Sequence, residues 1–129
     1  MNRVEVKVGS GSAFKLFIES REVEGVAVLR CTGRICFRRE AEFLASVAER
    51  WLGNGRDLLL DLAGVEALDS AGIGQLVLIY MRAEGAGRDV ALCCAPDHIL
   101  RLLRLTNTAG LFERFDSVES ALEARAGVA

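Results

Sequence analysis

A chain of 129 residues, 51% hydrophobic and 26% charged, has the size and composition of one globular domain and not of a disordered segment. Its formal net charge of −2 gives no broad positive field for nucleic acid or an anionic membrane surface. No apolar run approaches the ~20 residues needed to cross a bilayer, and residues 1–5 lack a signal-peptide pattern, so direct membrane insertion is not expected and a cytoplasmic location is.

In chain order, Val4-Glu5-Val6-Lys7-Val8 alternates before a Gly/Ser run, so residues 1–13 read either as an edge strand or as a flexible segment. Residues 14–19 and 23–31 read as an antiparallel pair of strands, with the turn among the polar residues between Glu19 and Gly25. From 38 to 52, Ala41, Leu44, Val47, Ala48, Trp51 and Leu52 form one apolar stripe of a helix, which Gly53-Asn54-Gly55 ends. The run Asp57-Leu58-Leu59-Leu60-Asp61-Leu62 has no helical spacing and suits a strand covered on both faces, broken at Ala63-Gly64. Strand, helix, strand implies a right-handed crossover and parallel pairing.

The informative stretch is Val65-Glu66-Ala67-Leu68-Asp69-Ser70-Ala71-Gly72-Ile73-Gly74, followed by apolar residues at helical spacing as far as Met81. Ser70 falls at or next to the helix N-cap. A serine there accepts a hydrogen bond from an unpaired N–H of the first turn, which is reason enough for its presence. A second reading starts from Gly72 and Gly74, which cost roughly 1 kcal/mol each against alanine in a helix and so suggest close approach of another backbone. A phosphate on Ser70 would add about −1.5 to −2 charge at the positive end of the helix, close to Asp69 and, if the chain converges, Asp61.

Residues 89–94 read as a further strand, Pro96-Asp97 opens a helix to about Leu105, and 106–110 form a loop. A short strand over 111–115 and a capping-box spacing between Asp116 and Glu119 precede a last helix to about Arg125, with 126–129 frayed. Arg38-Arg39 and Arg101/Arg104 lack interleaved aromatics and read as solvated faces, so no nucleic-acid partner is expected. Cys31, Cys36, Cys93 and Cys94 contain no C-x-x-C pair, and adjacent Cys93 and Cys94 would point to opposite faces of a strand. Buried reduced thiols are therefore expected, with no metal site. No nucleophile elbow, P-loop or dinucleotide fingerprint is present, and His98 is the only histidine, so no catalytic residues and no enzymatic activity are expected.

Asp61-Leu62-Ala63-Gly64-Val65 followed by Leu68-Asp69-Ser70-Ala71-Gly72-Ile73-Gly74 resembles the signature of STAS domains, specifically bacterial anti-sigma-factor antagonists, and the resemblance runs from about Phe14 to Leu122. It implies an α/β fold over 14–125, a single domain whose central mixed, largely parallel sheet carries about four helices. The serine matching Ser70 would be the phosphoacceptor. The unphosphorylated protein would bind an anti-sigma-factor serine kinase and release a sigma factor, and a protein phosphatase would reset the switch. Asp61, Asp69, Ala71, Gly72, Ile73 and Gly74 would form the partner-binding surface. No resident cofactor is implied, since ATP and magnesium would belong to the kinase. STAS domains also serve as subunits of membrane lipid-transport or stress-signalling assemblies, which is the alternative reading. Thr32-Gly33-Arg34-Ile35 resembles the family's approach to its first helix, but Cys36 stands where an aspartate is usual. An exposed sheet edge, or residues 4–8, offers a route to a homodimer.

Overall fold

The computed structural model describes residues 4–8 and 13–125, so the readings of 9–12 as a joint and of 126–129 as frayed lie outside the described residues. Six strands lie side by side in chain order: β1 (Val4–Val8), β2 (Leu16–Val23), β3 (Val26–Ile35), β4 (Asp57–Leu68), β5 (Val90–Cys93) and β6 (Glu113–Phe115). β1 to β3 pair antiparallel, and β3 to β6 pair in parallel. Helices α1 (Phe37–Gly53), α2 (Ser70–Gly85), α3 (Asp97–Leu105) and α4 (Val118–Arg125) complete the α/β fold. The sheet is mixed and largely parallel, with four helices, as the sequence implies.

The period of two along each strand divides the interior into two parts. Ile18, Leu29, Leu60 and Leu92 meet Leu44 and Ala48 of α1, Leu76 and Ile79 of α2, and Ile99 and Leu103 of α3 in the main core. Val26, Val28, Leu59 and Cys93 line the opposite face, where Ala121 of α4 covers them. β4 is covered on both faces from Asp57 to Leu62, which accounts for its unbroken apolar run.

Four local readings are corrected. β2 continues through Glu22 to Val23, because Glu24 (φ 50°) and Gly25 (φ 85°) both take the left-handed conformation of a tight two-residue hairpin. β4 is not broken at Ala63-Gly64 but runs on to Leu68 beside an irregular stretch of β3. A Cβ on Gly64 would lie 3.0 Å from Thr32 Oγ1 and 3.1 Å from the Cys31 carbonyl oxygen, so glycine there lets the strands stay together. α4 is capped by Ser117 and Ser120, not by Asp116 and Glu119: the Ser120 N–H donates to Ser117 Oγ at 3.0 Å, and the Ser117 N–H to Ser120 Oγ at 3.3 Å. Cys94 follows the end of β5 at φ 62°, and the two adjacent thiols turn to the same side instead of opposite faces.

Buried Asp57 fastens the far end of the sheet. It accepts the Asp89 N–H at 2.9 Å and pairs with Arg125 of α4 at 2.5 Å.

Candidate functional site

The extra length of β4 carries the chain past its partner β5, ending at Leu68 directly before α2. Asp69 then caps the helix. Its backbone is extended (φ −110°, ψ −174°), and Oδ1 accepts the Gly72 N–H at 3.0 Å. Oδ2 accepts the Phe37 N–H at 2.8 Å. One carboxylate thereby closes the starts of both α1 and α2. Burial by itself would raise the Asp69 pKa. The N–H donors of Phe37, Gly72, Ala71 and Asp69 itself outweigh that and hold it below the usual carboxylate value.

Ser70 is therefore next to the cap and is not the cap. It is the first residue of α2, exposed, and its hydroxyl makes no hydrogen bond among the described residues. Ala71 and Ile73 are half-buried against the main core. The two glycines separate into different roles. A Cβ on Gly72 would sit 2.1 Å from the Ile35 carbonyl oxygen and 2.6 Å from Leu68 Cδ1, so the close approach there is made by the chain's own backbone. Gly74 has nothing within 4 Å of its would-be Cβ and leaves bare surface.

That bare surface belongs to a stripe. Ser70, Gly74, Leu78 and Met81 follow one another at intervals of four, four and three residues, and all are exposed; Met81 is 58% exposed. Phe37, 59% exposed, stands beside Asp69 at the head of the stripe in a left-handed conformation (φ 56°) that a bulky side chain rarely takes. The Arg34 guanidinium lies over its ring at 4.8 Å. Leu78, Met81 and Phe37 thus leave large apolar side chains open to water on the side of α2 that carries Ser70.

Cys36 is the N-cap residue of α1, but its side chain makes no capping hydrogen bond. Glu40 takes over part of the task. Buried at 2% exposure, it accepts the Cys36 N–H at 3.2 Å, the Lys15 N–H at 2.8 Å and Arg34 Nε at 2.9 Å to each oxygen. The Cys36 thiol is pushed up from its usual pKa first by burial, then by the charges of Asp69 and Glu40.

Asp61 is not part of this corner. It lies eight residues upstream on β4, roughly 25 Å away at ~3.3 Å per residue of strand, on the α4 side of the sheet and 8% exposed. Its contribution to a surface around Ser70 thus has no geometric support. Sequence reasoning in turn missed Phe37, Arg34 and Glu40. The available signal was Phe37 itself, an aromatic at a helix start that does not fit the apolar stripe of α1. His98 Nε2 donates to the Glu66 carbonyl at 2.8 Å and ties the start of α3 to β4.

A model of the STAS domain matches residues 17–121. The chain belongs to the STAS domain family. It is 28% identical over 102 residues to a Thermotoga neapolitana protein named "Putative anti-sigma factor antagonist TM1081 homolog"; the match covers 78% of this chain and 90% of that one. It superimposes with a TM-score of 0.73 on an anti-sigma-factor antagonist (STAS) domain protein from Planctomyces limnophilus, at 26% identity over 84% of this chain and 97% of the other. The fold is shared with the anti-sigma factor antagonist SpoIIAA of Bacillus, solved in its unphosphorylated form (TM-score 0.74, 13% identity, 87% and 98% covered) and in its phosphorylated form. No described helix of this STAS domain is long and apolar enough to cross a membrane.

Proposed function

We propose that this STAS domain is an anti-sigma-factor antagonist that works in the cytoplasm by partner switching. Unmodified, the surface headed by Ser70 docks on an anti-sigma-factor serine kinase, which frees a sigma factor. Transfer of the ATP γ-phosphoryl to Ser70 Oγ, with loss of the hydroxyl proton, ends the complex, and a phosphatase restores it. The chain acts as substrate and ligand; ATP and magnesium are the kinase's.

The observation that carries this reading is the division of labour between Asp69 and Ser70. Asp69 caps the helix, so the exposed Ser70 hydroxyl has no structural duty and stands at the head of an apolar stripe. A phosphate there is tolerated by the positive end of α2. It also places about two negative charges in the middle of a contact that otherwise buries Leu78, Met81 and Phe37. The names of the relatives and the two described forms of SpoIIAA support the same reading.

The test is phosphate transfer. The parent protein and Ser70→Ala are incubated with ATP and lysate of the native host, and the modified position is mapped by mass spectrometry. Phosphate on Ser70 in the parent and none in the variant is expected. Equal labelling of both proteins, or none in either, contradicts the switch.

A further inference from the structure

On the opposite face of the sheet lies a cluster the Ser70 surface does not use. The thiols of Cys93 and Cys94 and the carboxylate of Asp61 have their ligand atoms within 4.8 Å of one another. Cys93 is the last residue of β5 and pairs in register with Asp61 of β4. The left-handed turn at Cys94 brings the neighbouring side chain to the same side. A cleft of about 330 Å³, lined by Glu19, Arg21, Arg30 and Glu119 among others, opens onto Asp61 from solvent.

The electrostatics of this cluster are incomplete. Asp61 is buried, yet its one described protein N–H partner is the Ala63 backbone at 3.0 Å, and no cation lies within 4 Å of its carboxylate among the described residues. Arg30 lines the same cleft but reaches Glu19 instead, at 4.0 Å. Buried charges are ordinarily paired or bound to a metal, because the loss of hydration otherwise goes uncompensated. Two sulfurs and one carboxylate oxygen are donors suited to a borderline-soft divalent ion.

We infer that Asp61, Cys93 and Cys94 form a binding site for one soft divalent cation of the zinc class, with a fourth position open to the cleft. In a tetrahedral site with metal–sulfur bonds of roughly 2.3 Å, sulfur–sulfur separations are roughly 3.8 Å, so the described cluster has to contract by at most about 1 Å. Half-exposed Cys94, the first residue of the loop to α3, makes that adjustment by giving up the long contact of its thiol to the Asp116 carbonyl oxygen at 3.6 Å. Water or Glu119 of α4, which faces the cleft, completes the set. Binding releases the two thiol protons to solvent, leaving thiolates on the metal and no change of oxidation state.

The site goes beyond the partner-switching reading, since it shares no residue with the Ser70 corner. It is tested on the reduced full chain, freed of metal with a chelator and titrated with Zn²⁺, and separately with Cd²⁺ while thiolate-to-metal charge-transfer absorbance is followed. One equivalent bound with release of about two protons per ion, and at least a tenfold loss of affinity in Cys94→Ala and in Asp61→Asn, is expected. Cys36→Ala, at the other corner, binds as the parent does. Binding unchanged in Cys94→Ala, or no saturable uptake at all, overturns the inference. Circular dichroism of each metal-free variant confirms that it is folded before titration.

Discussion

Asp61 and Asp69 lie on one short stretch of sequence, yet the structure uses them in opposite ways. Asp69 is the better satisfied, with both oxygens accepting backbone N–H groups from two different helices. Asp61 is buried with a single backbone donor and two thiols for neighbours. One carboxylate holds the fold together, and its full satisfaction is what leaves Ser70 free. The other is held in place by the fold and is short of positive charge. In this fold an aspartate is a fastening where backbone donors converge on it, as on Asp69, and is the proposed ligand where they do not, as at Asp61.

The contrast is open to mutation, beginning with the tightest packing at the Ser70 corner. Gly72→Ala forces a methyl group against the Ile35 carbonyl oxygen, with an expected loss of about 2–4 kcal/mol in denaturant unfolding. Gly74→Ala meets nothing and is expected to gain up to about 1 kcal/mol. Equal effects at the two glycines would place the pressure on this turn outside the chain's own packing.

Asp69→Ala removes acceptors from two helix starts and is expected to cost about 2–3 kcal/mol. Asp61→Asn, measured without metal, removes an unpaired buried charge and should leave stability within about 1 kcal/mol of the parent. A larger loss at Asp61 than at Asp69 would reverse the comparison. The acid response gives a second check. The folded Asp69 carboxyl is held below its ordinary value, so the unfolded chain binds the proton more readily. Its contribution is present above about pH 4, the unfolded pKa, and is lost as pH falls through the lowered folded value. Asp69→Asn should flatten that part of the stability curve, as read by urea midpoints along a pH series.

Effects on the proposed docking surface should be large in affinity and small in stability. Met81→Lys and Phe37→Ala remove exposed apolar groups. Each is expected to weaken kinase binding about tenfold, measured by calorimetry, while unfolding shifts by less than about 0.5 kcal/mol. Smallest of all is the stability effect of Ser70→Ala, also within about 0.5 kcal/mol, because the cap is Asp69.

Much of the architecture was legible because hydrophobic period reports layers. The continuous run at Leu58-Leu59-Leu60 announced a strand covered on both faces, and the 38–52 stripe announced α1. Turn chemistry was harder to read. The glycine at 64 signals a break by propensity, whereas here it lets β4 continue beside the irregular stretch of β3. Ser70 was legible as a helix start but not as an unoccupied hydroxyl, because only the three-dimensional path of Asp69 to Phe37 assigns the cap. Cys93 and Cys94 were misplaced by assuming an extended backbone through both, when the left-handed Cys94 ends the strand between them. Asp61 and Asp69 were grouped because sequence proximity hides how far a twelve-residue strand reaches.

The central claim is that the exposed hydroxyl of Ser70 governs a partner contact. The most direct measurement is affinity capture from the native host with Ser70→Ala and Ser70→Asp baits side by side, the bound proteins being identified by mass spectrometry. A serine kinase held by the alanine bait and lost by the aspartate bait is the predicted result. Equal capture by both baits, of a kinase or of a transporter ATPase, would contradict the account.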